Sequence, residues 1–264
     1  MRKFELTCVS GIGVVMDIRK FPRTQHVEGS RLQKGDEDLE QVPLKDLYGK
    51  HLVIEEKQDG ANSGISFVNE ALKLQSRGHY LQGGPRETRF TLFKQWATTH
   101  SDDFYLALGD RYIAYGEWLY KKHTVFYDAL KHFWAEFDIY DRSREVFLDT
   151  ASRCELLNGV RSCPVSIIWQ GTWTKSMRFE DFVRPSLFKT ARWKENLRDH
   201  VAKLGFDWNL VRRPSSNSCD SNHIRGVGDS VGAAPSLWSV STLRTASQAR
   251  THWNDHSVRH GIAA

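Results

Sequence analysis

Residues 51–62 read HLVIEEKQDGAN, an apolar run that becomes acidic and ends in a lysine followed by an Asp-Gly pair. The apolar run predicts a β-strand, and the Asp-Gly pair predicts a tight turn directly after it. Lys57 would then stand at the lip of a sheet, with its amine facing a cavity. A lysine amine attacks only when it is deprotonated, so such a site needs burial or neighbouring cations. The ordinary alternative is a solvated lysine beside a turn.

Further elements are predicted on the C-terminal side of this stretch. GISFV (64–68) and ALKLQSRG (71–78) read as strands, so that with the first strand they would form a β-meander with EKQDGAN at its lip. Aromatic-rich strands that could wall a pocket are predicted at 111–120 and 132–141. Helices are predicted at 87–100, 150–158 and 190–204. Apolar residues share one face in the first (Phe90, Phe93 and Ala97) and in the third (Trp193, Leu197, Val201 and Leu204).

The two ends of the chain differ in character from its middle. Residues 21–43 are polar and rich in Pro, Gly and charge, which predicts an extended or surface segment. Beyond Val211 the sequence is rich in Ser and Gly and has no sustained periodicity. We therefore expect an N-terminal extension at 1–20, a folded domain at 21–213 and an aberrant or flexible tail at 214–264.

Composition favours a soluble protein with a polyanionic partner. The chain has 264 residues, 40% of them hydrophobic, a formal net charge of +5 and a pI near 9.0. Such a balance suits nucleic acid or a nucleotide. Four cysteines, Cys8, Cys154, Cys163 and Cys219, lack the close spacing of a zinc or redox pair, so reduced thiols and a cytoplasmic location are expected. No membrane-spanning segment is predicted.

Four short strings resemble known motifs in both order and spacing. EKQDGAN (56–62), LQSRGH (74–79), YGEWL (115–119) and EFDI (136–139) are similar to motifs I, Ia, III and IIIa of ATP-dependent RNA ligases, in the lysine nucleotidyltransferase superfamily. The resemblance covers about 21–213. It implies an α+β fold, namely a nucleotidyltransferase (ATP-grasp-like ligase adenylylation) domain of antiparallel sheets flanked by helices.

The resemblance implies a three-step reaction that uses ATP and Mg²⁺. Lys57 would attack the α-phosphorus of ATP to give lysyl-AMP, AMP would pass to a 5′-phosphate end, and a 3′-hydroxyl would displace AMP. The partner would be RNA or nicked nucleic acid carrying those two ends. Asp59 and Gly60 would shape the turn that holds Lys57.

The same resemblance implies roles for five nucleotide-binding residues. Arg77 would bind the ribose or phosphates through its planar guanidinium. Glu117 would accept a ribose hydroxyl or help to hold the metal, and Phe137 would stack on the adenine. Glu56 would meet the adenine edge and Asn62 the phosphates. Outside the resemblance, Arg77 reads as a surface arginine at a strand end and Phe137 as an ordinary core aromatic.

Two later motifs of the family, IV and V, are missing. They consist of a Glu-Gly strand that ends in lysine and a later strand with a Lys-x-Lys pair, yet no glutamate follows Glu195 and no lysine follows Lys203. The string FEDFVR (179–184) lies too early and is predicted to be helical. The sequence therefore predicts a disrupted reading frame, an incomplete C-terminal part of the domain and weak or absent self-adenylylation.

Three functions remain open at this point. The first is an RNA ligase, which we favour over DNA ligases and capping enzymes because too little chain remains for an oligonucleotide-binding barrel. The second is a non-catalytic ATP- and RNA-binding pseudo-ligase, and the third is an unrelated basic α+β protein. The third would be disfavoured if Lys57, Arg77, Glu117 and Phe137 converged on one cavity.

Overall fold

The computed structural model describes residues 18–29, 40–121 and 125–208. Its architecture is mixed α+β with mainly antiparallel sheets and a few helices, as the sequence predicted. The tail expected at 214–264 and nearly all of the extension expected at 1–20 lie outside the described residues. Within the described part, no helix is long and apolar enough to cross a membrane.

The secondary structure consists of short strands and short helices. The strands are β1 (His26–Val27), β2 (Gln41–Val42), β3 (His51–Glu55), β4 (Ala61–Val68), β5 (Ala71–Ser76), β6 (Tyr112–Trp118), β7 (Trp134–Asp141), β8 (Val146–Phe147), β9 (Cys163–Pro164) and β10 (Ile167–Thr172). The α-helices are α1 (Thr91–Thr99), α2 (Ser101–Leu108), α3 (Thr150–Leu156) and α4 (Trp193–Lys203). Short 3-10 helices lie at Leu44–Leu47, Pro85–Phe90 and Phe179–Phe182.

These strands form one large sheet and two small ones. The large sheet has the order β5-β4-β6-β7-β8 with antiparallel pairing, and β9 adds to β7 in parallel. The second sheet contains only β3 and β10, which pair antiparallel, and the third contains only β1 and β2, which pair in parallel. Helices α1 and α2 lie between β5 and β6 in the chain and were predicted only as one helix over 87–100.

The predicted three-strand meander is wrong in one respect, because β3 does not pair with β4. It pairs instead with β10, so that Glu55 lies opposite Ile167 and His51 opposite Thr172. Of the three strands predicted to form the meander, β4 and β5 form a hairpin, through Asn69 and Glu70 at positive φ. The EKQDG segment is therefore a crossing from the small sheet to the large one.

One face of the large sheet carries the main core. Side chains of β4, β6 and β7 pack there against α1 and α2, and the buried set includes Ile65, Phe67, Phe93, Phe104, Leu108, Ala114 and Ile139. Trp96 of α1 lies 6.3 Å from Trp118 and 5.6 Å from Trp134 between ring centroids. Burying each large apolar side chain contributes about 1.5–3 kcal/mol. The helices cover this face, whereas Tyr115 and Phe137 pack in a separate cluster on the opposite face of the sheet.

A second core lies beneath the small sheet. It contains Leu52 and Ile54 of β3 together with Trp173, whose ring stacks on Phe179 at 4.3 Å. The first four residues of the FEDFVR string, Phe179–Phe182, form a short 3-10 helix, and Phe179 and Phe182 pack against this core, whereas Val183 is extended. In α4, Leu197 and Val201 are buried as its periodicity predicted, whereas Leu204 was wrongly placed on the buried face and is 57% exposed.

Candidate functional site

The lysine of the opening motif lies in the segment that joins the two sheets. Lys57 is exposed and follows the end of β3 by two residues. Three residues later, Gly60 lies so close to β6 that a Cβ there would be 2.6 Å from the carbonyl oxygen of Trp118 and 2.8 Å from Leu119 Cδ2. The crossing can pass this point only with glycine, because any side chain would force the backbones apart.

Asp59 holds this turn against the segment that follows residue 124. Its backbone N–H donates to Tyr127 Oη at 2.8 Å, and its Oδ2 accepts from the backbone N–H of Val125 at 3.1 Å. Burial is the main cause that raises the pKa of Tyr127 above its ordinary value, so the phenol stays neutral and can accept this bond. Asp59 thereby contributes to the shape of the turn through both backbone and side chain.

Glu117 of β6 has a shifted pKa and is influenced by several charged residues of the candidate site. It lies opposite Asn62 of β4 in the antiparallel register. Burial raises the pKa of Glu117 to about 7, although the ammonium of Lys57 opposes that rise, Asp59 adds to it and Arg77 opposes it. Each of these groups lies near enough to Glu117 to shift its pKa, so the chain crossing and the end of β5 both lie near this carboxyl.

Three buried acceptor atoms, one in the chain crossing and two on the paired strands β4 and β6, have no hydrogen-bond partner among the described residues. They are Gln58 Oε1, Asn62 Oδ1 and Glu117 Oε2. Buried polar atoms are nearly always paired, so a cluster of unpaired ones marks a place for a polar ligand or water. The donors that such a ligand would need are hydroxyl groups or a cation.

Phe137 lies at an irregularity of β7. Asp138 is opposite Tyr115 and Glu136 is opposite Gly116, so Phe137 is the extra residue of a β-bulge. Bulges bend a strand locally and re-aim a side chain, and they are common next to active sites.

The ring of Phe137 lies on the face of the large sheet away from α1 and α2. It packs in a cluster with Leu119 and Ala135, and Ala135 lies directly opposite Glu117 in the register of β6 and β7. Phe21 meets it edge-on at 4.9 Å between ring centroids. The ring is half-buried, with part of its surface open to a ligand.

Arg77 and Glu56 lie at the rim. Arg77 is exposed and directly follows β5, at the strand end that the sequence predicted. Glu56 is half-buried, and its Oε2 accepts from the backbone N–H of Leu187 at 3.1 Å. One oxygen of Glu56 is therefore engaged by the backbone.

Sequence reasoning missed a buried ion cluster next to this site. Arg153 of α3 is 2% exposed and contacts Glu55, Glu136 and the backbone of Phe137. An arginine in a short helix gives no local signal of burial, because its partners lie elsewhere in the chain. Tyr127, which accepts from the turn of Lys57, was missed for the same reason.

Comparisons with known proteins identify one family. A family model described as RNA ligase matches residues 50–203. A search of curated proteins finds no match. Among solved structures, a Naegleria gruberi RNA ligase variant with ATP and manganese is 19% identical, with a TM-score of 0.44 over 56% of this chain and 45% of that chain. The same ligase with pyrophosphate is 18% identical, with a TM-score of 0.48 over 65% of this chain and 49% of that chain. The present chain thus matches slightly less than half the length of each.

Proposed function

We propose, because this chain belongs to the RNA ligase family, that the pocket around Glu117 binds ATP and presents Lys57 to its α-phosphate. The observation that carries the proposal is the convergence of Lys57 and Arg77 on the same buried carboxyl, beside three unpaired buried acceptors. In an unrelated basic protein, nothing would require these residues to lie near one another. The proximity of these residues therefore favours a nucleotide site over the third function considered above, an unrelated basic α+β protein.

In the proposed first step, Lys57 forms a bond to AMP. Its Nζ, as the free amine, attacks the α-phosphorus of ATP, the new N–P bond forms as the P–O bond to pyrophosphate breaks, and the surplus proton of the amine passes to water. Arg77, exposed after the end of β5, would offset phosphate charge from the rim, because a guanidinium can form paired hydrogen bonds to phosphate oxygens. Phe137 would stack on the adenine with its open surface.

A divalent cation fits this pocket only in company with the phosphates of ATP. Among the described residues there is no cluster of three or more His, Cys, Asp or Glu side chains that could hold a metal ion. Mg²⁺ commonly binds through one or two carboxylates and substrate phosphates, and the unpaired Oε2 of Glu117 offers one such oxygen. When bound there, the ion would neutralise charge on the leaving pyrophosphate. We propose Mg²⁺ and assign Glu117 as its protein ligand or as the acceptor of a ribose hydroxyl.

The proposed polynucleotide substrate is RNA, or nicked nucleic acid, with a 5′-phosphate and a 3′-hydroxyl. AMP would pass from Lys57 to the 5′-phosphate, and the 3′-hydroxyl would then displace it and seal the strand. The net charge of +5 is consistent with a polyanionic partner. Lys121, at the exposed end of the segment after β6, could meet the RNA backbone, whereas Lys122 and His123 lie outside the described residues.

A second function, a non-catalytic ATP- and RNA-binding pseudo-ligase, is favoured by one observation. No lysine follows Lys203, and the family match ends at that residue. In the family, the lysines of the later motifs contact the α-phosphate and help to keep the nucleophile deprotonated. We therefore propose that the chain binds ATP but adenylylates itself weakly or not at all.

Incubation with α-labelled ATP and Mg²⁺, beside equilibrium binding of ATP, separates these functions. Bound ATP without covalent label supports the pseudo-ligase. Strong covalent labelling of the wild type that is lost in Lys57→Ala supports the ligase function and refutes the prediction of weak self-adenylylation. Absence of ATP binding by the wild-type chain overturns both.

A further inference from the structure

Arg153 is an arginine in the interior of the protein. It belongs to α3, which begins after Asp149, whose carboxylate accepts from the backbone N–H of Ser152 at 2.9 Å. This N-cap fixes the start of the helix, and Arg153 is 2% exposed within it. A buried guanidinium is costly unless it is fully paired.

The guanidinium joins the two sheets through three contacts. Nη2 donates to Glu55 Oε1 at 2.5 Å, and Nε lies 3.4 Å from Glu136 Oε1. Nη1 donates to the backbone carbonyl of Phe137. Glu55 is the last residue of β3 in the small sheet, whereas Glu136 and Phe137 belong to β7 in the large one.

The charge balance keeps this group a cation. Burial by itself would lower the pKa of Arg153, but the carboxylates of Glu136 and Glu55 outweigh burial and raise the pKa above its ordinary value. Glu55 depends on this cation in turn, because its second oxygen, Oε2, is buried and has no hydrogen-bond partner among the described residues. Loss of Arg153 would leave Glu55 as an uncompensated charge.

Both ends of this contact lie beside the proposed ATP site. Glu55 precedes Lys57 by two residues, and consecutive strand residues advance about 3.3 Å. On the other sheet, the bonded carbonyl belongs to Phe137 itself, at the bulge that aims its ring. One side chain therefore ties the strand of the nucleophile to the strand of the proposed adenine-stacking ring.

We propose that Arg153 is a positioning residue that fixes Lys57 relative to Phe137, and this role rests on the ATP-binding function proposed above. A guanidinium suits the task because its planar fork reaches three acceptors in fixed directions, whereas a lysine ammonium is a single flexible point. Arg153→Lys keeps the positive charge but cannot contact all three acceptors at once. Arg153→Met removes both the charge and the contacts, and Glu55→Gln combined with Arg153→Met also removes the charge of Glu55 left without its partner.

Hydrogen–deuterium exchange of the ligand-free protein tests whether Arg153 holds the end of β3 against β7. In Arg153→Lys we expect exchange at least tenfold faster in residues 55–60 and 135–138, with α1, on the opposite face of the large sheet, unchanged. The Glu55→Gln/Arg153→Met variant should recover thermal stability relative to Arg153→Met and still exchange fast in both segments. A uniform rise that includes α1, or wild-type rates in both segments, would overturn the proposal.

Equilibrium binding of ATP with Mg²⁺ tests whether the contacts of Arg153 contribute to the proposed ATP site. Arg153→Lys should raise the dissociation constant of ATP at least tenfold. The control is Leu108→Ala, a core variant on the helix side, which lowers thermal stability and should leave that constant within twofold. An equal loss of affinity in the control would reduce Arg153 to a structural ion pair and sink the proposal. If the wild type does not bind ATP, the proposed function fails, whereas the exchange result still decides whether Arg153 joins the two strands.

Discussion

The buried carboxyl of Glu117 should make the stability of the ligand-free protein depend on pH. Its pKa is raised by burial from an ordinary 4.5 to about 7. Between those two values the unfolded chain releases the proton of this group while the folded chain retains it. The free energy of unfolding therefore falls as the pH rises from about 4.5 to 7, and Glu117→Gln should remove this part of the dependence.

The size of the effect follows from the shift. Each unit of pKa difference corresponds to about 1.4 kcal/mol, so the rise from 4.5 to about 7 gives an upper bound of about 3–4 kcal/mol for Glu117. The residue is partly accessible, so solvent screening lowers the expected value to about 1–3 kcal/mol. Glu117→Gln should match the wild type near pH 4.5 and be more stable than it by that amount at pH 8.

Urea unfolding at several pH values from 4.5 to 8 measures this difference. Glu180→Gln, at an exposed position of the Phe179–Phe182 3-10 helix, is the matched control and should leave the pH dependence of unfolding unchanged. Parallel curves for the wild type and Glu117→Gln would refute the reasoning, since Glu117 would then titrate alike in both states. ATP with Mg²⁺ should reduce the difference at pH 8, because a cation beside Glu117 favours its ionised form.

Two further predictions concern the frame of the site. Gly60→Ala should lower the free energy of unfolding by about 1–3 kcal/mol in urea unfolding, because the added Cβ would meet the carbonyl of Trp118 at 2.6 Å. Gly78→Ala is its control, since nothing lies within 4 Å of a Cβ there, and an equal loss in both variants would contradict the steric cause. Asp141→Asn should cost about 2–4 kcal/mol in the same assay, because a fully buried carboxylate pairs with Arg111 at 2.6 Å. Burial would raise the pKa of Asp141, but Arg111 and the backbone N–H groups of Arg144 and Ser143 outweigh burial and lower it. The contribution of Asp141 should therefore disappear in acid, and a wild-type stability for Asp141→Asn would refute it.

The sequence predicted most of the elements because their signals are local. The alternation in β4 and the spacing of Phe93 and Ala97 in α1 depend only on neighbours a few residues away. The partner of β3 could not be predicted in this way. Strand alternation shows that His51–Glu55 has two faces, but β10 lies more than a hundred residues later in the chain, and no turn signal links the two.

In the candidate site, too, local motifs could be predicted from the sequence, whereas contacts with distant parts of the chain could not. The four motif strings were sufficient to name Lys57, Arg77, Glu117 and Phe137, and the first two of these lie near enough to Glu117 to lower its pKa. The bulge at Phe137 was not predictable, because an extra residue in one strand becomes visible only against its partner. Arg153 was missed because its burial depends on acidic residues contributed by two different sheets.

Placement of Trp118 directly after Glu117 gives the protein an internal optical reporter. The indole of Trp118 lies in the helix-side cluster with Trp96 and Trp134, at separations that couple their electronic transitions. A shift of β6 on filling of the pocket would therefore alter near-ultraviolet circular dichroism and indole emission. Occupancy could then be followed in unlabelled protein, without a radioactive or dye-bearing nucleotide.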